Sequence, residues 1–210
     1  MECKGGPVHS IEPQIYLAAV QAKQDGMDAM VIGDGADYVF GGMDKLLSKN
    51  WEFDEFMNRY IYINPEQVVK NPYNMAYLFE RYRIKNGIDF VSFLDTVATE
   101  ESYGSYANAF ETAEMAYFDP YACMALDGKL DLNRIRSGES KYLIRELFKI
   151  KYPEIDIPEK NPMPRPVDYY FDGWCGPCRD EFREDIIIDN YSGNQKWQLW
   201  CMERFLNNWI

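Results

Sequence analysis

The stretch VIGDGADYVFGGMDKLLS, Val31 to Ser48, decides the fold. With the two residues before it, it opens on the apolar run Ala29 to Ile32, too short for a helix and closed by a glycine. That pattern predicts a short buried strand, parallel in its pairing, with a loop at its carboxyl end. Gly33 and Gly35 let the backbone pass close to a ligand. Asp34 and Asp37 stand beyond the strand, where open α/β sheets place their ligands. Two carboxylates at such a point suit a hard cation such as Mg²⁺ and, through it, phosphate oxygens. The same letters also read as a glycine turn carrying two solvated aspartates.

Upstream, Ser10 is a candidate cap for a helix whose first turn accepts Pro13. Ile15, Ala18, Ala19 and Ala22 recur at helical spacing, and Gly26 is placed to end it. Downstream the pattern is helical. Asn64-Pro65 and Asn71-Pro72 each read as a cap followed by proline at the first helical position, the second helix closing at Gly87. Ile88 to Thr99 and Ser102 to Phe118 are further helices, the latter stopped by Asp119-Pro120. Another begins near Ser140, with Lys141 in its first turn and Arg145 one turn on, and ends at Pro153. Residues 153–178 are rich in proline and predict an extended surface segment. The last helix carries Trp197, Trp200, Cys201, Phe205 and Trp209 largely on one stripe. This stripe must bury against the body, a complementary subunit or a further copy in a homo-oligomer.

One predicted strand against six or seven helices makes a mostly α chain with a small α/β remnant. The 210 residues suffice for one domain. Residues 1–50 form the remnant with the GDGAD turn, 51–173 a helical body, and 174–210 a cysteine turn and the aromatic helix. A net charge of −12 argues against nucleic acid and anionic membrane as partners. No apolar run approaches the roughly 20 residues of a membrane span, and no secretory signal is legible. Five cysteines at irregular spacing fit a reducing cytoplasm. The single histidine, His9, reads as structural.

WCGPC, Trp174 to Cys178, spells a thioredoxin active site, but its setting differs. The prolines upstream make a poor central strand, and the residues downstream are too few to complete that fold. Cys175 and Cys178 are then two thiols on a turn, a local disulfide, or two of four zinc ligands with Cys201 and Cys3. A lone C-x-x-C is only half a zinc signal, so zinc is disfavoured.

Four motifs in order, with the helix that precedes them, carry a family resemblance. Gly33, Gly35, Asp37, Phe40, Gly41 and Gly42 fall in register with the S-G-E-G-x-D-E-x-x-G-G-Y signature of the asparagine synthetase family. AYFDPY, Ala116 to Tyr121, is similar to its P-F-L-D segment, with Asp119 as the shared acid. SGESKYLIRE resembles its G-x-x-K-x-x-L-R segment through Gly138, Lys141 and Arg145. KNPMPRP sits where the family has a Lys/Pro-rich loop, and SIEPQIYLAA is like the helix before the signature.

The resemblance implies the carboxyl-terminal part of an adenine nucleotide alpha hydrolase-like domain. With ATP and Mg²⁺ such a domain adenylates a small-molecule carboxylate and lets ammonia or an amine attack it, as an amide-forming ligase. It would give Asp37 the Mg²⁺–pyrophosphate contact, with Asp34 as a further metal neighbour. It would set Asp34 in the place of the catalytic glutamate, Gly33 and Gly35 against the nucleotide, and Lys141 with Arg145 against developing negative charge.

The sequence departs from the family in four respects. No S-G-G-x-D-S phosphate loop is present, and no glutaminase domain. Asp34 is one methylene shorter than the family's glutamate. Tyr38 replaces a second glutamate. The chain is therefore expected to be inactive alone, either as an incomplete piece of the enzyme or as one half of a split enzyme whose complementary subunit carries that loop. Two alternatives stand beside this reading: a non-catalytic interaction module derived from the same fold, and a thiol–disulfide oxidoreductase built on Cys175 and Cys178.

Overall fold

The computed structural model describes residues 9–159 and 165–209. Cys3 and most of the KNPMPRP stretch lie outside them. The chain is about half helical with a little sheet. Helix α1, Glu12–Gln24, carries Pro13 in its first turn. Ser10 does not cap it, because its hydroxyl donates instead to Asn194 Oδ1 at 2.7 Å. Glu12 braces the helix start by accepting the His9 N–H at 2.8 Å. The helix closes as expected at Gly26, whose φ of 82° lets its N–H reach Lys23 O while Met27 N–H reaches Ala22 O.

Strand β1, Ala29–Val31, follows, then short helices α2, Ala36–Val39, and α3, Asp44–Leu47, and the longer α4, Phe53–Tyr60. The Asn64-Pro65 signal makes only a single 3₁₀ turn, Pro65–Gln67, with Asn64 Oδ1 accepting from Glu66 N–H at 3.0 Å. The helix expected from Pro72 to Gly87 is likewise one turn, α5, Tyr77–Glu80. A tight hairpin of β2, Arg83–Ile84, and β3, Gly87–Ile88, takes the rest. Gly87 therefore belongs to a strand, and its φ of 139° seats it where a Cβ would strike Trp51 O.

From α6, Phe90–Phe93, the chain passes through one π-helical turn, Leu94–Ala98, into α7, Thr99–Ala113. Thr99 Oγ1 donates to Leu94 O at 3.1 Å, five residues back, inside that turn. Glu114 stops α7 in the left-handed region, φ 51°. Ala116–Phe118, expected to be helical, is strand β4, paired in parallel with β1 and in register Met30 to Tyr117. The parallel pairing of β1 is as expected, but its burial is not: Val31 is 74% exposed and Phe118 54%.

Helices α8, Leu132–Arg136, α9, Tyr142–Lys151, α10, Val167–Tyr170, and α11, Gly193–Trp209, complete the order. α10 lies inside the segment expected to be extended, because Val167 and Phe171 bury against Trp197 and Cys201 of α11. The aromatic stripe is thus covered by the body for these residues.

The largest core is aromatic. Phe56, Phe79 and Phe93 pack with Trp51, Phe90 and Tyr82, and the rings of Phe79 and Phe93 stack at 4.9 Å. A second core joins α1 to α7 through Ile15, Ala19, Ala109 and Phe110. A third seam joins Val68, Phe182 and Leu199. Among the described residues no helix is long and apolar enough to cross a membrane.

Candidate functional site

The turn after β1 is pinned by an acid from the neighbouring strand. Asp119, just past β4 and 7% exposed, accepts the N–H groups of Gly35 at 3.0 Å, Tyr121 at 3.1 Å and Ala122 at 3.3 Å. This clasp brings the two loops so close that a Cβ on Gly35 would lie 2.5 Å from Ala122 N. Gly35 is required by that approach. Gly33 is not, since a Cβ there meets only the Tyr121 ring at 3.6 Å.

Beyond the turn, Asp37 Oδ1 lies 2.7 Å from Lys141 Nζ. The contact is an ion pair rather than an aligned hydrogen bond. Lys141 is the N-cap of α9 and not a first-turn residue, and its backbone is left-handed, φ 54° and ψ 33°. An L-residue bears a cost of about 1 kcal/mol or more for that conformation. The Lys141 side chain does not cap the start of α9, and among the described residues no other side chain does, so its leading N–H groups have no capping bond there.

The paired glycines of the signature explain the pair's tightness. A Cβ on Gly42 would overlap both Asp37 Oδ1 and Lys141 Cε, and one on Gly41, φ 74°, would press on Ile135 Cδ1 at 2.5 Å. Gly138, φ 103°, ends α8 by bonding Ile135 O while Glu139 N–H reaches Arg134 O, and so aims the Lys141 loop. Arg145 does not join the carboxylates. Its Nε donates to Ser140 O at 3.1 Å and braces that loop.

Asp34 faces the other way, toward α7. The Ser102 hydroxyl approaches its two carboxylate oxygens at 2.9 and 2.7 Å. Burial pushes the Asp34 carboxyl up to about 6; Asp119 and Asp37 add to the rise, while the Ser102 bond and Lys141 oppose it. Burial, with Asp34 and Glu101 nearby, also raises the Tyr38 phenol, so that side chain stays protonated. Ser102 had no signature in the sequence: it is 68 positions from Asp34, and only the π-helical turn sets its phase on α7. Asp119 was visible as a motif acid, but its role as a clasp was not.

Asp34, Asp37, Tyr38, Ser102 and Tyr106 form part of the wall of a cavity of about 1240 Å³ that extends to Trp197 and Leu199 on α11. Among the described residues no three His, Cys, Asp or Glu side chains converge as metal ligands. Asp34 and Asp37 therefore make no self-contained metal cage.

Cys175 and Cys178 are exposed thiols on the turn that Gly176 shapes with φ 104°. Each Sγ points to a nearby carbonyl, that of Gly173 at 3.6 Å and that of Gly176 at 3.8 Å. No helix begins just after Cys178, so the helix-start environment that lowers a thioredoxin thiol's pKa is missing. His9 has a local structural part, its Nδ1 accepting Ile11 N–H at 3.3 Å. Compared with protein-family models, curated proteins and solved structures, the chain matches none.

Proposed function

We propose that the chain is the carboxyl-terminal portion of an asparagine synthetase-like, ATP-dependent amide-forming ligase, acting in the cytoplasm with a complementary subunit that carries the phosphate loop. The observation that carries this reading is the Asp37–Lys141 pair at 2.7 Å, at the uncapped start of α9 and beside Asp34. A strained lysine at a helix start, held by a carboxylate it could release, is a poised anion site.

In this reading Lys141 moves from Asp37 to the phosphate oxygens, adding its charge to the open N–H groups of α9. Asp37, with Asp34 next to it, is the side chain that would hold Mg²⁺, which when bound neutralises polyphosphate charge. Asp34 is set near neutrality, so it can take a proton from an incoming amine at neutral pH. Gly35 and Asp119 keep the turn rigid while the charges change partners. The substrate is a small-molecule carboxylate.

A second reading rests on the same pair. Lys141 already has its counter-charge, as it would in an interaction module that has lost its chemistry. Titration of the purified chain with Mg²⁺-pyrophosphate, followed by ³¹P NMR, separates the two. The ligase reading expects saturable binding that weakens about tenfold or more in Lys141→Ala, the loss of one charge-assisted contact. Equal behaviour of wild type and variant would leave the module.

A further inference from the structure

We infer that the cavity behind Asp34 binds an organic primary ammonium with a bulky apolar or aromatic body, and that this amine, once it has given up a proton to a base, takes the place of ammonia as the nucleophile, its nitrogen bonding to the acyl carbon of the adenylated carboxylate as AMP leaves with the C–O bond's electrons. The inference rests on the ligase reading for the word nucleophile; the binding site itself does not.

The first argument is size. At about 1240 Å³ the cavity exceeds the ~300–1,000 Å³ of an ordinary small-molecule pocket. Ammonia, comparable to a water molecule, occupies only about 30 Å³. A site built for ammonia would not keep such a space open next to its base.

The second argument is the wall. At the Asp34 end, Asp37 and Glu101 also line the cavity, and the rings of Tyr38, Tyr60 and Tyr106 stand among them. Carboxylates and aromatic faces together attract a cation, and an ammonium gains from both. These phenols add no charge of their own. Burial pushes Tyr106 up to about 12, and burial likewise raises Tyr60. Away from that end the wall turns apolar, with Val68, Trp197, Leu199 and Met202. Among the described residues, Arg59, Arg165 and Glu181 are the other charged side chains on the wall. Asp37 is answered from outside by Lys141 and Glu181 by Arg179 at 2.6 Å, so among the described residues Asp34 and Glu101, both at the one end, are the wall carboxylates left to a ligand. A ligand with a charged amine head and an apolar body matches both ends; a bare ammonium ion matches only one.

The test is calorimetric titration of the full chain with three probes: 2-phenylethylamine, its neutral isostere 2-phenylethanol, and ammonium chloride. The amine is expected to saturate with Kd at least about tenfold below those of the alcohol and of ammonium. Asp34→Asn is expected to raise the amine's Kd about tenfold and leave the alcohol's unchanged, with helical circular dichroism retained. Glu101→Gln, at a more exposed position, gives a second and smaller increase. Absence of saturable amine binding, equal affinity for the alcohol, or an amine Kd unaffected by both variants would overturn the inference. The two readings fail separately. If pyrophosphate binds through Lys141 but the amine does not, the ligase reading survives without this nucleophile. If the amine binds but pyrophosphate does not, an ammonium-binding module remains.

Discussion

Asp34 is the residue at which stability and function conflict. Its carboxyl ordinarily titrates near 3.8 and here near 6, chiefly because burial disfavours the charge. The protonated form fits the folded chain better. Its contribution to stability is therefore complete below about pH 3.8 and is lost as pH rises through 6. Asn keeps an oxygen for the Ser102 hydroxyl but never ionises. Asp34→Asn should melt like wild type at pH 4 and higher than wild type at pH 7.5. The side chain is partly open to solvent, which screens the effect to about 1 kcal/mol, or ~2–4 °C in a chain of this size. Scanning calorimetry at the two pH values checks this, and an equal shift at both would mean that the gain is packing and not charge.

At the scale of elements, the site depends on how helices stop. Gly26 and Gly138 both carry their helix ends into left-handed turns with the same pair of closing hydrogen bonds. Gly138 matters more, because Lys141 follows three residues later. A Cβ on Gly138 would meet no atom within 4 Å, so Gly138→Ala isolates the backbone cost of φ 103°. We expect a loss of about 1–2 kcal/mol in urea unfolding with an unchanged m-value. Pyrophosphate binding should weaken as well, since the loop that presents Lys141 loses its fixed start. The stop at Gly26 was legible in the sequence, as were the parallel pairing of β1 and the buried stripe of α11, because glycine placement and apolar spacing are local signals; Gly138 was visible only as a motif glycine, and the short α8 it ends was not. β4 was not. Its three residues, Ala116 to Phe118, continue the apolar run of α7, and only pairing with β1, 87 positions away at each register point, makes them a strand. The hairpin at Arg83–Ile88 was hidden for a similar reason, behind the Asn71-Pro72 signal, which starts no helix: the single turn α5 begins only at Tyr77. Ser102 was illegible in a stricter sense: nothing about a serine in a helix reports what lies opposite it.

For the whole molecule the question is whether α11 belongs to one cooperative unit or is an attachment. Packing argues for one unit. Leu199, 2% exposed, touches the seam of Val68 and Phe182, while Trp197 and Cys201 on the same helix bury Val167 and Phe171. The Glu203 carboxylate on α11 also accepts the Cys178 N–H at 2.6 Å and the Arg179 N–H at 3.2 Å, tying the cysteine turn to the helix. Since α11 also walls the cavity, loosening it should affect binding and stability together. Leu199→Ala removes a well-packed side chain and should cost about 2–5 kcal/mol. If the chain is one unit, denaturation of the variant keeps a single transition, shifted as a whole, in both tryptophan fluorescence and far-ultraviolet circular dichroism. An earlier, separate tryptophan transition would show that α11 melts alone. The amine head and the apolar body would then be bound by parts of the protein that fold independently, and a cavity shared between them could not be a permanent feature of the native state.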